Sequence, residues 1–529
     1  MLNFSIIKKT YLHVLFIVII GLVAYSNSFS VPFQFDDLRI IPDNPYIKNL
    51  DNFNFLKEHE YNPMQEYNPR RYLGYLSLAL NYRWWGLEVT GYHVVNLLIH
   101  LMNGILVYFF VFLTFRTPYF TSEKLEERSK KSVVSSKKED AENDKAGIDG
   151  FSLFTTHYSL FTTPQFIAFF SALLFVTHPV QTQAVTYIVQ RFTSLATLFY
   201  LASVVFYVKG RAATVKSEKS EVSSEKPGNS HFTFHDSRFS IVWFLLSLIF
   251  AVGAMKVKEI SFTLPIMILL YEFIFFRSTL KRKLLFLIPI LLTLVIVPIS
   301  VLQTDKPLGE VISDLSEKSR LQTDMPRGDY LMTELRVIVT YIRLIFLPVD
   351  QNLDYDYPIY RSFFSPPVFL SFLFLATLFG IALYLLYKSR RGAAVSSEEP
   401  AVSSEKTEAE GSRLENDSPP AANYSLLTIH CFRLIAFGIL WFFVALSVES
   451  SFIPIVDVIF EHRLYLPSIG AFVALSAALF VVAMKAKRRW PGAGRAVIPL
   501  VLIIVLMLSA VTHARNRVWQ DEARLWEDV

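Results

Sequence analysis

Two adjacent carboxylates, Asp36 and Asp37, follow almost directly on the first apolar stretch of the chain. They sit in VPFQFDDLRIIPDNP, where a membrane helix should end and a long polar loop begins. Holding a helix bundle together needs no carboxylate pair at such a place. A carboxylate at a membrane face can act as general base toward a hydroxyl whose reaction partner is anchored in the bilayer. The bland alternatives are helix capping or an ion pair with Arg39, Arg70 or Arg71.

Four further polar motifs interrupt the apolar sequence. They are HPVQTQAVTYIVQR (178–191), MKVKEIS (255–261), NLDYDYP (352–358) and ESSFIPIVDVIFEHRLYLPS (449–468). Each has a dull reading. His178-Pro179 can simply end a helix, because proline restricts the residue before it. Lys258 and Glu259 can be an interfacial ion pair. Glu461-His462-Arg463 is harder to dismiss, since three adjacent ionisable residues between apolar stretches are costly unless paired or wet.

The elements that carry these motifs are membrane helices. Hydrophobic residues make up 52% of the 529 residues and charged ones only 18%, and the apolar residues fall in blocks of spanning length. The single cysteine, Cys431, excludes a disulfide framework and a multi-cysteine metal site. A net charge of +5 is too small to suggest a nucleic-acid partner. The run from Tyr11 to Ala24 reads as a first membrane helix rather than a signal peptide, because no clean cleavage site follows it.

Spans are expected at 11–28, 92–115, 165–177, 192–209, 240–256, 261–277, 284–302, 366–388, 430–447, 468–485 and 496–512. The stretches 72–87 and 331–347 carry Arg, Asn or Glu and are expected to lie at the interface. The fold class is therefore an all-α polytopic membrane protein of about 11 transmembrane helices, with interfacial helices in the outer loops. With the N-terminus in the cytoplasm, the loops holding RSKK, KSEK, KRK, KSRR and KAKRR face inward. The polar motifs, a first outer loop at 29–91 and the C-terminus then face outward.

Three cytoplasmic inserts, about 121–160, 211–237 and 390–424, are rich in Ser, Glu and Lys. They repeat a short motif, as in Val134-Ser135-Ser136 and Val402-Ser403-Ser404. Such segments bury too little apolar surface to pack, and disorder is expected.

Several loops converging on one face with Asp, His, Arg, Lys and Glu suit transfer from a lipid-linked donor. Arg, Lys and His can hold a lipid phosphate and stabilise its charge as it leaves. A sugar on a polyprenyl phosphate is such a donor. Aromatic residues such as Trp84, Trp85, Tyr355 and Tyr357 suit sugar faces, and equally an interfacial belt.

The chain resembles the GT-C superfamily of multi-span glycosyltransferases that use polyprenyl-phosphate sugars. Within it, the chain is most similar to the membrane part of the transmembrane, tetratricopeptide-repeat-containing O-mannosyltransferases and their bacterial relatives. The resembling segments include FDDLRIIPDNPYI, GYHVVNLLIHLMNGILVY, HPVQTQAVTYIVQR, KEISFTLPIMILLYE, YIRLIFLPVDQNLDYDYP, ESSFIPIVDVIFEHRLYLPSIG and RNRVWQDEARLWEDV. The resemblance implies a GT-C-like bundle over 1–512 and a catalytic Asp at Asp36 or Asp37. It implies inverting transfer of a hexose, mannose by analogy, to a protein Ser/Thr hydroxyl or an envelope glycan. It places His178, Arg191, Lys258, His462 and Arg463 around the donor phosphate. Glu259, Glu461, Arg71, Asp354 and Asp356 are expected to support them. Within the carboxylate pair, Asp37 is favoured as base and Asp36 as positioning group. Some superfamily members need a divalent metal and others do not; Asp36 and Asp37 are the candidate ligands for one.

The expected setting is the bilayer of a bacterial inner membrane, with the C-terminus periplasmic. Relatives continue past LW-x-D into repeats, but 513–529 is a short polar tail and no 34-residue repeat is visible. A transporter or flippase of lipid-linked sugar is the alternative from another class. It is disfavoured because no repeat of halves is seen and the ionisable motifs are not mid-span.

Overall fold

A computed structural model describes residues 4–54, 67–120, 164–222, 234–301, 325–398, 421–451, 454–455 and 457–527. The described residues form helices and no strand, so the protein is an all-α polytopic membrane protein. Buried in lipid, each backbone N–H and C=O must be satisfied within its own segment, which leaves the helix as the form for such apolar runs.

All eleven segments expected to cross fall on helix. Seven helices among the described residues are long and apolar enough to cross: Val89–Thr114, Ile188–Val215, Leu280–Ser300, Pro366–Arg391, Leu427–Leu446, Pro467–Arg489 and Ala496–Gln520. Thr10–Ala24, Gln165–Thr177 and Ser240–Met255 are shorter apolar helices. Leu264–Phe275 has 12 residues and is preceded by the 3-10 turn Glu259–Thr263. The helices Tyr72–Trp85 and Arg327–Phe346, expected at the interface, are not among the seven.

Much of the proposed insert sequence, 121–160 included, lies outside the described residues. At their edges the helices run further than expected: Arg191–Val222 and Pro366–Glu398 extend into segments read as disordered. Ala, Lys and Glu are good helix formers, and extending a formed helix avoids the cost of nucleation.

One continuous core joins the spans, and a second, smaller core closes the end that carries the polar motifs. The second core gathers Val31, Tyr46 and Tyr67 from the first loop, Tyr187 to Val189 from the second, and Trp519 and Leu525 from the C-terminal segment.

The helices Ala421–Leu446 and Pro467–Arg489 pack tightly at Gly438 and Gly470. A Cβ on either glycine would run into the other's carbonyl oxygen. Trp441 Nε1 donates to Leu466 O (3.0 Å) at the same crossing. Small residues at such contacts let membrane helices approach closely. Gly470→Ala should therefore cost about 1–3 kcal/mol of stability in detergent. Gly380→Ala, where nothing lies within 4 Å, should leave the melting temperature unchanged. Equal effects at the two positions would contradict this packing.

Candidate active site

The first loop turns sharply before the carboxylate pair. Phe35 has φ 50°, a left-handed conformation that costs a non-glycine residue strain. It makes aromatic contacts with Tyr187 and Trp526. The turn sends the two carboxylates in different directions.

Asp37 points inward and is buried. Its Oδ1 accepts the Val189 N–H (2.7 Å) and its Oδ2 the Gln34 N–H (3.2 Å). Burial pushes the carboxyl up to about 7, against those backbone donors, which favour the ionised form. Asp36 stays part-exposed, its Oδ1 3.6 Å from Arg39, and its backbone N–H donates to Tyr187 Oη (3.0 Å).

The C-terminal segment braces this loop. Trp519 stacks on Tyr187 (5.4 Å between centroids), and Gln34 Nε2 donates to Trp519 O (3.4 Å). Asn516 Nδ2 reaches Ala24 O and Asn27 Oδ1, and Asn516 Oδ1 accepts from Thr186 Oγ1 (2.8 Å). The segment read as a polar exit is thus a strut for the carboxylates. The tryptophans in an otherwise polar tail were its signal in the sequence.

The second loop supplies anchors. Arg191 is fully buried, with Nε on Asn96 Oδ1 (2.6 Å), Nη1 on Ser77 O and Nη2 on Tyr92 O. His178 caps the turn after it: Nδ1 accepts the Val180 N–H and Nε2 donates to Ile345 O (2.9 Å). Both side chains lie at the end expected, but every ring nitrogen of His178 and every guanidinium nitrogen of Arg191 is already engaged by protein. These bonds give both residues a structural role in the fold.

Five other expected residues do cluster. Lys258 Nζ lies 2.9 Å from Glu449 Oε1 and 2.9 Å from Thr193 Oγ1. Arg71 and Glu259 form a two-pronged ion pair, with Nη2 to Oε2 2.9 Å. His462 Nδ1 and its backbone N–H both meet Gln183 Oε1 (3.1 and 2.6 Å), so a neutral ring leaves Nε2 as an acceptor. Burial, then Lys258, Arg463 and Arg71, hold its pKa well below the ordinary value. Arg463 places two nitrogens on the carbonyls of Val458 and Asp457 (3.0 and 2.6 Å).

Glu461, adjacent in sequence, faces elsewhere. It accepts from Tyr355 Oη (2.6 Å), Asn352 N and Gln351 Nε2 (2.7 Å each), so it anchors the 350–355 loop. Asp354 lies within electrostatic reach of Asp457, as do Asp36 and Arg463. Burial, Asp354 and Asp36 together raise the Asp457 carboxyl. Asp457 thus bridges the carboxylate loop and the cationic cluster. Asp356 is exposed, and none of these bonds reaches it.

Three cluster members were not singled out from the sequence: Glu449, Asp457 and Glu334. Glu334 is buried beside Tyr330, Ser450 and Arg463, and burial pushes its carboxyl up to about 7. An acid inside the apolar stretch 331–347, and another closing the apolar run before 449, were the available signals. Among the described residues no three His, Cys, Asp or Glu side chains converge to hold a metal. Asp36 and Asp37 diverge, which does not suit a shared ion, and no step is assigned to one.

No family model, curated protein or solved structure matches the chain.

Two expectations test this geometry. The His178 pKa is pushed from 6.5 to about 4 by burial. Its contribution to stability is intact above the unfolded value and is lost as pH falls through the window between them, by up to about 3 kcal/mol. Asp37 and Glu334 titrate with the opposite sign, so the comparison is between the wild type and His178→Asn. Unfolding measured from about pH 7.5 to 4 should show the wild type losing its advantage; parallel profiles would refute the assignment. Trp519→Ala should speed amide exchange at residues 34–40 well before it affects the helix core.

Proposed function

We propose that the chain is an integral-membrane glycosyltransferase of the GT-C type. It moves a hexose, mannose by the resemblance, from a polyprenyl phosphate to a protein Ser/Thr hydroxyl or an envelope glycan at the outer membrane face. The observation that carries this reading is that, at one end of the bundle, Asp457 lies within electrostatic reach of both the part-exposed Asp36 and Arg463, in a cluster that also draws Lys258 from another loop and Arg71 from the first loop. In a bacterial inner membrane, with the N-terminus cytoplasmic, this end is periplasmic.

Asp36 is assigned as the base, in place of the Asp37 favoured by sequence. A base must reach the hydroxyl it deprotonates; Asp37 is buried with a backbone donor on each oxygen, whereas Asp36 is accessible. Asp36 takes the acceptor proton, and the acceptor oxygen attacks the anomeric carbon. The bond from that carbon to the phosphate oxygen breaks, with inversion, and the lipid phosphate leaves with the electron pair. Lys258, Arg71 and Arg463 stabilise that charge. His462, kept neutral, serves as an acceptor for a sugar hydroxyl. Glu449 and Glu259 hold the cations in place before the donor arrives.

The test is transfer from a polyprenyl-phosphate sugar by purified protein in liposomes. Asp36→Asn should lower the rate by roughly 10²-fold or more with no change in melting temperature. Asp37→Asn should lower the melting temperature, since one of its two backbone donors loses its acceptor. Full transfer by Asp36→Asn would remove it as base. Movement of the lipid-linked sugar across the bilayer without transfer would replace the reading with a flippase.

A further inference from the structure

At the opposite end of the bundle two buried arginines invite comparison. Arg211 is buried against Glu272, with Nη2 to Oε1 2.7 Å and Nε to Oε2 2.9 Å, and Tyr207 completes the shell. Arg433 is also buried, at 5% exposure, yet no carboxylate among the described residues pairs with it. Its Nε donates to Ser389 Oγ (3.1 Å) and its Nη1 to Ile274 O (3.0 Å). Neither acceptor is charged.

Its charged neighbours have the same sign. The guanidinium of Arg433 stands 3.4 Å from the centre of the Tyr119 ring, and that of Arg277 stands 5.8 Å from it. Tyr119 Oη donates to Ser389 O (3.5 Å), and Arg390 is the next residue in the chain. Arg277 and Arg390 lie within repulsive reach of Arg433, and Lys283 lies within reach of Arg390. Both outer arginines are exposed. A buried cation beside like charges is destabilising unless something anionic completes it.

The position selects the anion. Arg390 is 24 residues beyond Pro366, the start of its helix, a rise of about 36 Å at 1.5 Å per residue. That is the thickness of a bilayer core with part of its headgroup layer. The three arginines come from three segments of the chain, and Arg277 and Arg390 both lie within electrostatic reach of Arg433. Arginine forks match phosphate oxygens in geometry.

We propose that Arg277, Arg390 and Arg433, arranged around Tyr119, bind the phosphate of an anionic lipid headgroup at the end of the bundle opposite Asp36. Arg433 supplies the fixed, buried contact, and Arg277 and Arg390 close over the phosphate from the solvent side. A general inward bias of positive charge puts basic residues at this end, but it does not require one to be buried without a counter-ion among the described residues.

Full-length protein in neutral detergent, offered phosphatidylglycerol and phosphatidylcholine together, tests this by native mass spectrometry. The wild type should retain phosphatidylglycerol with a preference on the order of tenfold. Arg277→Gln with Arg390→Gln, both at exposed positions, should bring the two lipids close to parity. Arg488→Gln with Arg489→Gln, exposed basic residues on another helix, should leave the preference intact. Loss of preference in both pairs would reduce the effect to diffuse charge and overturn the site, as would no preference in the wild type. Inorganic phosphate, added alone, separates the sources. Thermal protection by phosphate that the first pair abolishes would keep the site and assign it to a soluble phosphate.

Discussion

The end of the bundle that carries the carboxylates is organised around a charge with no access to water. Arg191 stands in the first turn of its helix, and its three nitrogens reach Asn96, Ser77 and Tyr92 on two other helices. Each acceptor is neutral. Among the described residues, the carboxylate that acts on it is Asp37, itself buried and held by Val189, two residues before Arg191. A lone buried charge is costly, and two of opposite sign at the same junction reduce that cost for each other. The junction therefore fixes where the first loop can sit. Moving it would separate Asp37 from both its backbone donor and its counter-charge.

That constraint explains why much of the bundle was legible in the sequence and the site only partly so. Spanning helices announce themselves by local composition: twenty apolar residues in a row have few other options. Charge parity led to the expectation that 331–347 does not cross, and the helix there is not among those long and apolar enough to do so; Glu334 within it was visible as a polar residue in an apolar stretch. What a side chain bonds is a different matter. His178, Arg191 and His462 look alike in sequence, each a basic group next to apolar runs. In the structure His178 caps a turn and Arg191 braces helices. Only His462 faces the cation cluster, with a nitrogen unspent. The difference depends on residues such as Gln183 and Ile345, hundreds of positions away from some of their partners, and no local pattern encodes it.

The two ends of the molecule handle buried cations by contrasting means. At the carboxylate end Lys258 and Arg71 each hold an acid, Glu449 and Glu259, while Arg463 leans on backbone carbonyls beside Glu334. Under the proposed function these acids stand in for the donor phosphate until it binds. The site then costs little stability when empty, and incoming phosphate competes with a carboxylate rather than with water. At the other end Arg211 is fully neutralised by Glu272 and serves packing alone. A bound anion would give Arg433 the same completeness.

The carboxylate pair divides its labour along the same line of burial. A group that fixes a loop must be enclosed and fully bonded; a group that takes a proton from an acceptor must keep an oxygen open. One residue cannot satisfy both demands, and two neighbours on one short turn can. The strained backbone at Phe35 follows from this. Reversing the chain there lets Asp37 turn down onto Val189 while Asp36 remains part-exposed, its backbone tied to Tyr187 and its side chain beside Arg39. A glycine would relieve the strain but give up the aromatic contacts with Tyr187 and Trp526 that keep the turn against the C-terminal strut. The strain, the strut and the buried Asp37 therefore act together to hold one exposed carboxylate in place.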